Sequence, residues 1–230
     1  MEASDLIRNY PRLYHMAQAD AWEGIVAHGL LSTSALLTLF EVPSAERDAI
    51  EASRRPEPVP IAHKVHGQAV IRDNKPISEV LLAACLVDTD SATFFRLLNQ
   101  RVFFWLTSAR LDGLLKARAY RRDPHLVITV DTAALVDRYA SDVTLSAINS
   151  GATVYRAMPR GRGTFVPIAD YDYVGRRRLR GVAGAIAELA VTGGVREISG
   201  VALMAEVRYP DGQRRPIWSS AIAPWKSARP

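Results

Sequence analysis

The chain has 230 residues, 48% of them hydrophobic and 23% charged, and a formal net charge of +5. This is an ordinary globular composition, long enough for one self-sufficient core. No apolar run reaches the roughly 18–20 residues of a membrane-spanning helix, and the single cysteine, Cys85, excludes an internal disulfide and cannot build a zinc site alone.

The first residues, Met1-Glu2-Ala3-Ser4-Asp5, carry acids where a secretory leader carries bases, so the expected compartment is cytoplasmic. Residues 4–9 read as a short helix stopped before Pro11. Residues 13–16 read as a strand that carries His15. Residues 19–28 follow as a helix with Trp22, Ile25 and Val26 on its buried stripe, closed by Gly29. Two more helices are expected over 34–40 and 43–54, the second opened by Pro43.

The proline-punctuated stretch 56–60 reads as a connector within the domain, so 1–230 is expected to form one unit. Residues 61–72 hold short strand-like pieces, 77–86 an apolar helix, and Asp90 caps a helix over 91–99. The run Arg101-Val102-Phe103-Phe104-Trp105-Leu106 is aromatic and β-branched, which favours a central strand. Ser108 caps a helix over 109–119. A strand over 125–130 leads to a helix capped by Asp131 or Thr132. Residues 143–148 alternate as a half-buried strand before the turn Asn149-Ser150-Gly151.

Residues 157–181 are rich in Gly, Arg and Tyr and lack periodicity, which suggests a long functional or mobile loop. Residues 185–191 and 201–209 are strands, with a turn at Gly193-Gly194 between them, and 217–225 form a tail that packs back on the domain. Helices crowd the first half and strands the second. That pattern fits an α+β fold with a mixed or largely antiparallel sheet.

The Gly-rich dinucleotide fingerprint, the Walker A loop, the Gly-x-Ser-x-Gly elbow and the His-Glu-x-x-His motif are all absent from the sequence. His63 and His66 are the only close histidine pair, and in a strand their side chains point to opposite faces, so no metal site is expected there. Glu188 stands out inside the apolar run Ala185–Val191. A carboxylate buried there without partners is costly, so Glu188 faces water, a cleft or a cation. Arg176, Arg177, Arg178 and Arg180, with Arg160 and Arg162 upstream, form either a solvated surface loop or a patch for a phosphate-bearing partner.

Three ordered pieces carry a resemblance. Leu13 to Ser34, with His15, a helix and then Gly29-Leu30-Leu31-Ser32, resembles the opening motif of the DarT-type ADP-ribosyltransferases that modify DNA. Val102-Phe103-Phe104-Trp105 resembles the aromatic strand midway through those enzymes. Ala187-Glu188-Leu189-Ala190-Val191, then Val195 and 198–201, is similar to their C-terminal strand, where an Ala-Glu-aromatic-Leu-Val pattern carries the catalytic glutamate. Met16-Ala17 after His15 and Leu189 after Glu188 depart from the pattern, and the chain resembles an uncharacterised branch of that superfamily.

The resemblance implies a split, mixed or antiparallel ADP-ribosyltransferase-like sheet with helices mostly from the N-terminal half. It implies NAD as substrate, with no metal, and transfer of ADP-ribose to a nucleic acid, a DNA base first, as in a bacterial toxin or phage-defence effector with a possible antidote protein. Glu188 would be the catalytic carboxylate. His15 would donate to the adenosine-side ribose, Arg72 would neutralise the pyrophosphate, and Phe104 or Trp105 would wall the nicotinamide. Tyr171, Tyr173, Arg176, Arg177, Arg178 and Arg180 would meet the nucleic acid through stacking and phosphate contacts. Alternatives on the same scaffold are an RNA 2′-phosphotransferase, a protein ADP-ribosyltransferase, and a non-catalytic nucleotide- or nucleic-acid-binding module.

Overall fold

The computed structural model of the protein describes residues 1–154 and 157–221. Eight strands form one sheet in which every neighbouring pair is antiparallel: β1 (Arg12–Gln18), β5 (Arg101–Trp105), β6 (His125–Asp131), β7 (Val143–Ser146), β8 (Val166–Pro167), β9 (Glu188–Thr192), β11 (Ala202–Arg208) and β12 (Arg214–Ser219). Their order is β12-β11-β6-β1-β5-β9-β7-β8. The fold is α+β with a large antiparallel sheet. No helix among the described residues is long and apolar enough to cross a membrane.

Helices α1 (Ala3–Asn9), α2 (Trp22–His28), α8 (Thr132–Tyr139) and α9 (Tyr173–Ala185) bring Leu6, Ile25, Leu135 and Tyr173 into the larger core. The sheet residues there are alternate positions of each strand: Leu13 and Ala17, Val102 and Phe104, Leu126, Ile128 and Val130, Leu189 and Val191. The alternation puts Phe103 and Ala190 on the opposite side, where α5 (Glu79–Cys85) and α6 (Ser91–Asn99) pack Leu82, Phe94 and Phe95 around them. A third cluster joins α3 (Thr33–Leu39) and α4 (Ser44–Ala52) to a separate hairpin of β3 (Val59–His63) and β4 (Gly67–Ile71) through Leu37, Phe40, Ile50, Ile61 and Ile71.

Local chemistry sets the element ends. Ser32, Ser78, Asp90 and Asp131 each accept a hydrogen bond from a backbone N–H in the first turn of the helix that follows. Thr107, not Ser108, caps α7 (Ser108–Leu115). Gly29 has φ 93, and a Cβ there would lie 2.7 Å from the Cα of Arg196. It ends α2 and admits the close pairing of β2 (Leu30–Leu31) with β10 (Gly194–Val195). The Gly193-Gly194 turn therefore leads directly into a short strand.

Two expectations are corrected. Residues 157–181 are not one long loop: they hold a short 3-10 turn at Arg162–Thr164, strand β8 and most of helix α9. Asp172 caps α9 at the Gly175 N–H, and Gly181, at φ 67, kinks it. Residues 214–219 are an edge strand, whose Trp218 ring lies 5.3 Å from that of Trp22. Ser220 follows it, its N–H donating to the Leu203 carbonyl at 3.0 Å, and residues 222–225 of the expected tail, Trp225 included, lie outside the described residues.

Candidate functional site

The sheet opens between β1 and β5. β1 pairs with β6 along its whole length and β5 with β9 along its whole length, yet β1 and β5 share a single register pair, Tyr14 with Trp105. Beyond that pair lies a cleft of about 800 Å³. His15, Arg72, Phe103, Trp105, Ser150 and Glu188 all line it, and the β3–β4 hairpin with α2 and α3 forms the facing wall. Strand alternation puts His15 with Leu13 and Ala17, on the opposite sheet face from Glu188. Both residues nonetheless line the one cleft at this opening.

Glu188 begins β9, in register with Trp105 on one side and Ser146 on the other. It is 4% exposed. Its Oε2 accepts two hydrogen bonds from one residue, the Ser150 N–H at 3.0 Å and the Ser150 hydroxyl at 2.6 Å. Burial pushes the carboxyl up to about 7, against the Ser150 hydrogen bonds and the charges of Arg160 and Arg110. The group therefore changes charge near neutrality, in the range suited to electrostatic or acid–base work.

The His15 Nδ1 lies 2.8 Å from the Phe103 carbonyl. A carbonyl only accepts, so Nδ1 carries the proton and Nε2 of the neutral ring keeps its lone pair. Burial lowers the imidazole to about 4, against the bond to Phe103, with the Arg72 charge adding to the fall. His15 is thus a neutral acceptor at Nε2, where the sequence reading expected a donor.

Arg72 follows β4. Its Nη1 is 3.5 Å from the Met16 carbonyl and its guanidinium carbon 5.1 Å from the Tyr120 ring centroid. Burial lowers its pKa, opposed by Tyr120 and Asp73. The Tyr120 hydroxyl donates to Asp73 Oδ1 at 3.0 Å, which fixes the ring beneath the guanidinium. Nearby Arg55 is already committed to the carbonyls of Arg72 and Ile50 and to the Asn99 side chain. Arg72, with one long contact to a carbonyl, is a cation of the cleft, as is Arg101, whose Nη1 donates to the Leu97 carbonyl at 2.7 Å.

Phe103 and Trp105 line the cleft, but Phe104 does not. It is fully buried on the other face, with its ring 5.7 Å from that of His15. A shift of one residue along a strand reverses the face, so Phe104 packs behind His15 and its two neighbours are the aromatic residues that reach the cleft.

The expected nucleic-acid group separates into two sets. Tyr171 and Tyr173 are 4% and 5% exposed: the Tyr171 hydroxyl donates to the Ala185 carbonyl at 2.7 Å, and the Tyr173 ring meets Tyr10 edge-on. Neither is open to a base. Arg176 lies over the Tyr171 ring at 5.5 Å. Arg177, Arg178 and Arg180 are exposed on α9, and none of the three lines the cleft.

Arg160, read with that cluster in the sequence, is 2% exposed and belongs to the Glu188 neighbourhood instead. Ser150 had shown only as a turn residue; the turn signal at Asn149-Ser150-Gly151 was legible, its partner was not. His63 and His66 do not point to opposite faces: the turn after β3 stacks their rings at 4.7 Å. Among the described residues no group of three or more His, Cys, Asp or Glu is placed to hold a metal ion.

The family model of DUF7002, a family of unknown function, matches residues 11–202. The chain belongs to that family, and the matched span runs from the start of β1 into β11, taking in His15, Arg72, Ser150, Arg160 and Glu188. No curated protein and no solved structure matches the chain.

Proposed function

We propose that this chain is an NAD-dependent ADP-ribosyltransferase with an ADP-ribosyltransferase-like split sheet, acting on a nucleic acid. The observation that carries this reading is that His15 and Glu188, far apart in sequence, line one cleft where β1 and β5 part. The cleft's size suits a dinucleotide-sized ligand.

NAD bound there reacts by breaking the bond between the ribose C1′ and the nicotinamide nitrogen. The electron pair leaves with nicotinamide, which departs neutral, and the ribose becomes oxocarbenium-like. The Glu188 carboxylate stabilises that cation and accepts a hydrogen bond from a ribose hydroxyl. His15 Nε2 accepts from the other ribose, Arg72 meets the pyrophosphate, and Trp105 with Phe103 walls the nicotinamide. An acceptor nitrogen or oxygen then attacks C1′, and its proton passes to the Glu188 carboxylate and on to water. Arg177, Arg178 and Arg180 offer the acceptor a phosphate-binding face on α9.

The test is incubation with NAD labelled in its adenylate half and separate DNA, RNA and protein pools. Label is expected in a nucleic-acid pool. Label only in protein would move the reading to a protein acceptor, and no label in any pool with no nicotinamide released would reject the transferase.

A further inference from the structure

We propose that Arg160 is a positioning residue for the Glu188 carboxylate, acting through Ser150. This rests on the transferase reading for its catalytic meaning and on geometry alone for its structural content.

Ser150 is fully buried, and each of its polar groups joins Arg160 to Glu188. Its N–H and hydroxyl both donate to Glu188 Oε2, and its carbonyl accepts from Arg160 Nη1 at 2.7 Å. Arg160 Nε donates to the Met158 carbonyl at 3.1 Å. The main chain of Arg160 is held as firmly: its N–H donates to the Cys85 carbonyl at 3.0 Å, and its carbonyl accepts from the Val87 N–H at 3.1 Å. The guanidinium is therefore anchored to the end of α5 and clamps the turn that grips the carboxylate.

The chemistry explains why a cation stands there. A buried guanidinium bonded to neutral carbonyls and the Cys85 thiol is expensive, and no carboxylate among the described residues pairs with Arg160 directly. Besides the Cys85 thiol, the acid that acts on it is Glu188, one residue removed. Fixing Oε2 on Ser150 sets the carboxyl plane and leaves Oε1 without a donor among the described residues. The charged groups that act on Glu188 are Arg160 and, from α7, Arg110; Trp105 and Ser146 flank it in register, and the Cys85 thiol faces Arg160. Removing the Arg160 charge favours the protonated acid and raises the pH at which Glu188 ionises.

The experiment follows the carboxyl carbon of Glu188 by NMR across pH in full-length protein, with Glu188→Gln identifying the resonance, and measures NAD turnover alongside. In the wild type the midpoint is expected near 7. Arg160→Met should move it up by about one unit, Ser150→Ala should also raise it, and Arg160→Lys should stay nearer the wild type. If NAD is turned over, Arg160→Met should lose activity about tenfold at pH 6 and little at pH 9, because about tenfold less carboxylate is present on the acid side. A folded Arg160→Met with an unchanged midpoint overturns the proposal, as does an unchanged midpoint in Ser150→Ala should Arg160→Met fail to fold. A wild type that titrates as expected but never turns over NAD keeps the clamp and rejects the transferase.

Discussion

Burial disfavours charge on both Glu188 and His15, and the two effects act on stability with opposite sign. Glu188 rises from 4.5 to about 7 on folding, so its contribution is fully present below pH 4.5 and is lost as pH rises through 7. His15 falls from 6.5 to about 4, so its contribution is present above pH 6.5 and is lost as pH falls toward 4. Glu188→Gln keeps an oxygen for Ser150 but never ionises. The variant should therefore gain stability over the wild type between pH 4.5 and pH 8, by about 3 kcal/mol. Denaturant melts at the two pH values measure it, and an unchanged difference would mean that Glu188 titrates as an ordinary surface acid. Gly29 is a backbone case. Gly29→Ala meets both a positive φ and the Arg196 main chain, so a loss of about 2–4 kcal/mol is expected in a thermal or denaturant melt. A neutral result would show that the β2–β10 approach can relax.

At the scale of elements, the most legible pieces had both a cap and a period. Asp90 before 91–99 and Asp131 before 132–139 are examples, because a carboxylate at the N-cap and an apolar stripe act locally. Helix α9 was hidden for the converse reason. It holds Gly175, Gly181 and Gly184 and four arginines, and buries only Tyr173 and Ala185. Tertiary contacts hold it, among them the Tyr10 hydroxyl donating to the Val182 carbonyl; Asp172 was the one local signal. Arg177, Arg178 and Arg180 remain its exposed cations. Replacing the three with Ala should weaken nucleic-acid binding and flatten the plot of log K against log salt by about two to three units of slope. A salt dependence equal to that of the wild type would remove α9 from the acceptor site.

Across the whole molecule, the candidate site is a consequence of sheet topology, and only part of it could be read from sequence. His15 and Glu188 were visible as residues, through resemblance, because each sits in a short apolar strand. That they share a cleft depends on β1 and β5 meeting at one pair and then parting, a non-local fact with no sequence period. Phe104 shows the same limit: an unbroken aromatic run marks a strand, but the register that assigns its faces comes from the neighbours. Ser150 and Arg160 depend on a turn folding back across the sheet, so neither spacing nor composition announced them. The β3–β4 hairpin, which matched nothing in the resemblance, supplies a wall of the cleft.

The central claim is that this cleft breaks the nicotinamide–ribose bond on the strength of Glu188. The direct measurement is the rate of nicotinamide release from NAD by the wild type and by Glu188→Gln at pH 8 with DNA present, both shown to be folded. The expected result is release by the wild type and a loss of at least about a hundredfold in the variant. Equal rates in the two proteins, or no release by the wild type with DNA or RNA, would contradict it.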